Sequence, residues 1–163
     1  MSYKPTARQV QALELLGGPA THCLLVGGSR SGKTFITIWT IVFRALASPK
    51  SRHAILRFRF NHVKASVVHD TFPKVMDLCF PGVKWELDKT DWFVSLPNGA
   101  QIWFGGLDDK DRTEKILGQE YASLYFNEAS QIPHGSMSMA LTRLAQKVDC
   151  ITKQETKPLR LKA

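Results

Sequence analysis

No apolar run in this 163-residue chain approaches the ~18 residues that a membrane-spanning helix requires, and Met1 to Val10 lacks the apolar core of a signal peptide. These absences predict a soluble, intracellular protein without a membrane partner. Cysteine is sparse as well: Cys23, Cys79 and Cys150 show no CxxC spacing, and two of them lie in apolar runs where a free thiol behaves as a small hydrophobe. A disulfide framework is not expected, and the compartment reads as a reducing cytosol. The five histidines, at positions 22, 53, 62, 69 and 134, fall at no metal-ligand spacing. There is no internal repeat, no low-complexity tract and no extended Lys/Arg block. What the chain does have is 44% hydrophobic residues, enough for one well-buried core, so residues 1–163 are expected to form a single domain with no room for a second catalytic one. Lys and Arg number 22 against 14 Asp and Glu, and the resulting charge of +8 suits a phosphate-rich partner such as nucleic acid; a scattered basic surface is the plainer alternative.

The residues Gly27, Gly28, Ser29, Arg30, Ser31, Gly32, Lys33 and Thr34 satisfy the phosphate-loop pattern GxxxxGK[ST]. Its glycines allow backbone N–H groups to turn inward around phosphates, where a side chain would obstruct the approach. Lys33 would reach the β and γ oxygens of ATP, and the Thr34 hydroxyl would take one position on Mg²⁺. The pattern has mechanical meaning only between a buried strand and a helix. Cys23–Val26 reads as the strand, and Phe35 to Ala47 reads as a helix whose apolar residues nearly encircle it before Ser48-Pro49 stops it. Bound phosphate would then sit at the helix N-terminus.

Upstream, Tyr3 to Leu16 reads as a short amphipathic helix with Thr6 as N-cap and Gly17-Gly18-Pro19 as its stop. A glutamine there could read both edges of adenine, since its amide is donor and acceptor at once; Gln9 is the candidate and Gln11 the fallback, with a solvated glutamine the alternative. Downstream, His53 to Phe58 reads as a strand and Lys64 to Cys79 as a helix that Pro73 interrupts or kinks. Strands joined through helices imply a parallel sheet. Trp92–Leu96 and Gln101–Phe104, separated by Pro97-Asn98-Gly99-Ala100, read as an antiparallel hairpin on its edge. The densely charged Leu107 to Glu114 reads as an exposed, mobile loop.

Tyr121 to Phe126 is a strand-like run that ends in Asn127-Glu128, where an ATPase needs a metal-shell acceptor at a strand tip and a carboxylate to orient the attacking water. Glu128 suits the second role. The first usually falls to Asp; Asn127 has a carbonyl that can accept from a metal-bound water but brings no charge. The predicted class is therefore α/β, a P-loop NTPase of RecA-like type with a mainly parallel sheet flanked by helices.

These residues resemble a known family, the large terminase subunits of tailed bacteriophages and prophages, which pump DNA into capsids. The resemblance runs through the Gly27–Thr34 loop, the strand bearing Arg57, the Asn98-Gly99 hairpin and Phe104-Gly105-Gly106-Leu107-Asp108-Asp109. It continues through Lys115-Ile116-Leu117-Gly118, Asn127-Glu128-Ala129-Ser130 and Thr142-Arg143-Leu144. Some branches of the family are similar in placing Asn before the catalytic Glu. The resemblance implies an ATP-driven translocase of double-stranded DNA, working in the infected bacterial cytoplasm as a ring on the capsid portal, with a small terminase subunit as partner. It also implies a C-terminal nuclease that 163 residues leave no room for, and a coupling motif after a strand that would here be Leu159–Ala163. Arg30 resembles the arginine that some terminases carry within the loop. Arg112 is the candidate for an arginine finger reaching a neighbouring subunit, a solvated loop arginine being the alternative. A RecA-like helicase or recombination ATPase shares these motifs, and a remnant that binds nucleotide or DNA without turnover is the non-enzymatic rival.

Overall fold

The computed structural model describes residues 3–151, 156–158 and 162–163. Its centre is a five-stranded sheet of order β2-β3-β4-β1-β5, formed by β1 (Arg52–Arg57), β2 (Glu86–Asp88), β3 (Phe93–Ser95), β4 (Gln101–Gly106) and β5 (Ser123–Phe126). β4, β1 and β5 run parallel, while β2, β3 and β4 pair antiparallel. The mainly parallel sheet with an antiparallel edge is as expected, but the outermost strand is β2, which has no clear signal in Glu86–Asp88.

β1 is buried without alternation from His53 to Leu56 because both of its faces are covered. One face packs Ile55, Ile102 and Phe104 against α2 (Lys33–Ala47) and the helical segment that follows β1. The other packs Ala54, Leu56, Trp103 and Leu124 against residues near the two later helices. After β1 the chain forms α3 (Phe60–Val63), a wide π-helical stretch (Lys64–Thr71) and α4 (Phe72–Cys79) in direct succession. Pro73 lies where the π-helical stretch gives way to α4, so the helical winding changes there while the chain stays helical. It sits in the first turn of α4, where its missing N–H leaves no bond unmade.

Two further expectations are corrected. Leu107 to Glu114 is not a mobile loop: Asp109 accepts from the Arg112 N–H at 3.0 Å and caps α5 (Lys110–Leu117). Leu107 itself is buried. Gly106 explains the tight junction, since a Cβ there would lie 2.6 Å from the Phe60 backbone nitrogen. Nor is Cys23–Val26 a strand of the sheet. Among the described residues its backbone partner is Ala163, and Lys162–Ala163 lies between it and β5: Leu124 N–H donates to Lys162 O at 2.8 Å, and Cys23 N–H donates to Ala163 O at 3.0 Å. Among the described residues none pairs with the backbone beyond Cys23, and Leu24 is 76% and Val26 85% exposed. Of the predicted strand Leu159–Ala163, residues 159–161 lie outside the described residues, and Lys162 forms a parallel bridge with Ser123.

The remaining elements are α1 (Ala7–Gly17), with the predicted Thr6 cap, α6 (His134–Leu141), and a small antiparallel pair of β6 (Asp149–Ile151) and β7 (Thr156–Pro158). At the hairpin, the Asn98 amide donates to Ala45 O at 2.8 Å and Leu46 O at 3.1 Å, satisfying carbonyls at the end of α2. Among the described residues no helix is long and apolar enough to cross a membrane.

His53 on β1 is fully buried. The Ser51 hydroxyl lies 2.8 Å from its Nε2, Nδ1 has no partner among the described residues, and burial followed by the Arg44 charge pushes its pKa down to about 3. The unfolded chain binds this proton below about pH 6.5, whereas the folded chain does so only near 3. Stability is therefore complete above pH 6.5 and falls as the pH drops toward 3, with a limiting slope of about 1.4 kcal/mol per pH unit. Urea midpoints measured between pH 7.5 and 5 should show this loss, and His53→Gln, although less stable at pH 7.5, should show a flatter profile.

Candidate active site

The Gly27–Thr34 loop leads into α2 with Gly32 at φ 80° as the N-cap, a left-handed conformation that glycine adopts without strain. Arg30, at the apex, takes the same region at φ 59° and is exposed. The Lys33 ammonium lies over the loop, donating to Gly27 O at 2.6 Å, Gly28 O at 2.8 Å and Ser31 Oγ at 3.2 Å. A phosphate oxygen taking this position would replace carbonyl acceptors with charged ones, which form stronger bonds to an ammonium.

Gln9 reaches the same loop. A Cβ at Gly32 would lie 2.4 Å from its Nε2, so the absence of a side chain there admits the glutamine. Its Oε1 accepts from the Thr6 N–H at 2.9 Å and from the Tyr3 hydroxyl at 2.8 Å. The oxygen half of this amide is thus already engaged within the chain, and the nitrogen faces the loop. Gln11 is exposed. Tyr3 in turn sits 4.5 Å from Phe35 and 5.8 Å from Trp39, tying the N-terminal segment to the first turns of α2.

β5 brings Asn127 to this point. The Thr34 hydroxyl lies 3.5 Å from Asn127 Oδ1, although 93 residues separate them in sequence. Asn127 is 4% exposed, and its N–H donates to Leu56 O at 2.8 Å, extending the ladder one step past the strand. Glu128 follows, exposed and in the left-handed region at φ 56°. Such a conformation costs a residue with a Cβ roughly 1 kcal/mol or more, and here it turns the chain sharply at the strand tip. Thr34 and Asn127 fit a divalent cation that keeps most of its shell as water and phosphate oxygen, as Mg²⁺ does. Among the described residues no group of three or more His, Cys, Asp or Glu could hold a metal. The described residues thus form no cage of their own, and a cation here would depend on the nucleotide's phosphates.

Sequence reasoning missed Tyr125 and Thr37. The Tyr125 hydroxyl donates to Asn127 Oδ1 at 3.3 Å and is in hydrogen-bonding contact with Thr34 and Thr37. Thr37 donates to Lys33 O at 2.9 Å. Burial is the main cause that raises the Tyr125 pKa, with the Glu128 charge adding to it. The signal was available: Tyr125 stands two residues before Asn127, on the same face of the strand. Arg57, at the tip of β1, is half-buried, with Nη1 3.4 Å from Ser66 Oγ and no partner for Nε among the described residues.

Arg112 is not brought to this cluster. It lies on α5, whose Ile116 and Leu117 pack on the sheet face opposite α2, and its guanidinium sits 4.5 Å over the Phe60 ring. It is exposed.

Comparison with known proteins places this arrangement. No relative is found among curated proteins. The large terminase of a thermophilic bacteriophage superposes with a TM-score of 0.76 at 14% identity, covering 88% of this chain and 37% of that one. The same terminase in complex with ATP-gamma-S gives 0.67 at 14% identity, over 86% of this chain and 35% of that one. The ATPase domain of the Thermus phage P74-26 large terminase gives 0.63 at 19% identity, over 86% and 59%. At these identities the likeness concerns the fold, and this chain spans less than two thirds of each relative's length. The family model described as "Terminase large subunit, T4likevirus-type, N-terminal" matches residues 24–153. That span includes the loop with Lys33 and Thr34 and the strand tip with Asn127 and Glu128, and the chain belongs to this family of terminase large subunits.

Proposed function

We propose that this chain is the ATP-hydrolysing motor domain of a phage large terminase, which drives double-stranded DNA into a procapsid. The observation that carries the reading is the meeting of Thr34 and Asn127 at 3.5 Å, which joins the phosphate-binding loop to the strand that ends in Glu128. In this reading Gly27 to Thr34 bind the phosphates, Lys33 holds the β and γ oxygens, and Arg30 adds positive charge from the loop apex. Gln9 offers its amide nitrogen toward the base. Mg²⁺, held through Thr34 and Asn127, would neutralise charge on the phosphates. Glu128 orients the attacking water and takes its proton. Arg112 completes the site of a neighbouring subunit, so the active form is a homo-oligomeric ring; the portal and a small terminase subunit are its partners in the infected bacterial cytoplasm. The relative bound to ATP-gamma-S supports the choice of nucleotide.

The reading is tested by ATP turnover with and without linear double-stranded DNA. We expect DNA to stimulate turnover, and Glu128→Gln to bind ATP yet lose about 10² to 10⁴ in rate, because the amide holds a water without accepting its proton. Turnover that is absent in every condition would leave the nucleotide-binding remnant as the correct account, and separation of strands on a forked duplex would favour the helicase.

A further inference from the structure

An asparagine at the tip of β5 poses a geometric problem that an aspartate would not. A carboxylate presents an acceptor whichever way it is turned, whereas a primary amide rotated by half a turn presents two N–H donors. Donors aimed at a cation site repel it and also leave the Thr34 hydroxyl to accept, which would point its proton at the metal. The Asn127 amide must therefore be held with its oxygen toward Thr34. Its backbone is fixed by the bond to Leu56 O at 2.8 Å, but that bond leaves the amide free to turn.

Tyr125 supplies the missing constraint. It pairs in register with Ile55 on β1 and packs on the α2 side of the sheet, where its ring belongs to the edge of the core. From there the hydroxyl donates to Asn127 Oδ1 at 3.3 Å, beside the Thr34 hydroxyl, which reaches the same oxygen at 3.5 Å. Two hydroxyls converging on Oδ1 favour the orientation that turns the amide oxygen inward. The Tyr125 hydroxyl is also in hydrogen-bonding contact with Thr34, so one group touches both members of the pair.

We infer that Tyr125 is a positioning residue: its hydroxyl locks the Asn127 amide, and through it the Thr34 lone pair, in the orientation that accepts a nucleotide-bound divalent cation. Tyr125 has this role only if the loop holds nucleotide, as proposed above, and the two claims are separable by experiment. Free Mn²⁺ is followed by its paramagnetic resonance while the full chain is titrated in the presence of ATP-gamma-S. Tyr125→Phe keeps the ring in its packing and removes only the donor. It should weaken Mn²⁺ binding about three- to tenfold, the worth of one such hydrogen bond, while leaving ATP-gamma-S affinity in EDTA unchanged. In the Asn127→Asp background the same substitution should cost less than about twofold, because either carboxylate oxygen serves. An equal loss in both backgrounds would mean that Tyr125 acts through packing, and no loss in the native background would mean that the amide needs no lock; either overturns the role while sparing the site. If the unsubstituted chain binds no Mn²⁺ with ATP-gamma-S, the nucleotide reading and this role fall together.

Discussion

Lys33→Ala should reduce ATP turnover to the level of a protein-free blank while leaving the circular dichroism spectrum unchanged. The expectation of an intact fold comes from what Lys33 contacts. Its bonds run to Gly27 O, Gly28 O and Ser31 Oγ, all within the loop and classed with exposed groups, and none reaches the sheet. Losing such bonds costs on the order of 1 kcal/mol at most. The expectation of lost chemistry comes from the ammonium's reach across the loop that would hold phosphate. Within one subunit the cationic stabilisation in reach of the β and γ oxygens would rest on Lys33, Arg30 and the metal, with Arg112 of a neighbour completing it. Lys33→Arg should fail as well, since a planar fork does not occupy the place of a compact ammonium. Retained turnover in Lys33→Ala would remove the loop from the mechanism.

The sequence made the site more legible than its surroundings. Lys33, Thr34, Asn127 and Glu128 could be assigned because their residue types sit at fixed offsets from an apolar strand and a helix start, and the structure brings Thr34 and Asn127 together. Helix α2, the paired strands β3 and β4, and the Thr6 cap followed from periodicity and turn chemistry. The errors lie where local signal and tertiary context disagree. Cys23–Val26 has strand composition, but a strand exists only with a partner, and among the described residues its backbone bond runs from Cys23 to Ala163. Leu107 to Glu114 is rich in charge, which reads as loop; the capping bond from Asp109 and the burial of Ile116 and Leu117 make it helical. At Pro73 the expected interruption is a change from π-helical to α-helical winding, a form that residue types alone do not show. Tyr125 was passed over as a core aromatic because its hydroxyl's destination depends on how β5 faces α2.

Arg112 sets the largest effect that the proposed ring predicts. Its guanidinium lies 4.5 Å over the Phe60 ring, so in its own subunit it is engaged with Phe60 and not with the Gly27–Thr34 loop. A stacking contact of this exposed kind is worth about 0.5 to 1 kcal/mol, little enough for Arg112 to be given up to a neighbour's phosphates. Isolated subunits should then turn over poorly, and rate per subunit should climb with protein concentration or on a portal scaffold. An arginine supplied in trans is worth about 10³ to 10⁵ in rate in other phosphoryl-transfer enzymes, so the rise should far exceed pipetting error. Arg112→Ala should abolish it, and Arg112→Lys should recover only a part, because the charge returns without the bidentate fork. Mixing Arg112→Ala with Glu128→Gln adds a sharper test: each variant is inactive for a different reason, and a mixed ring places an intact Arg112 beside an intact Glu128. Recovered turnover in the mixture requires a shared site. A rate per subunit that is high and flat with concentration, lost on Arg30→Ala but indifferent to Arg112→Ala, would instead make Arg30 the sufficient arginine within each subunit.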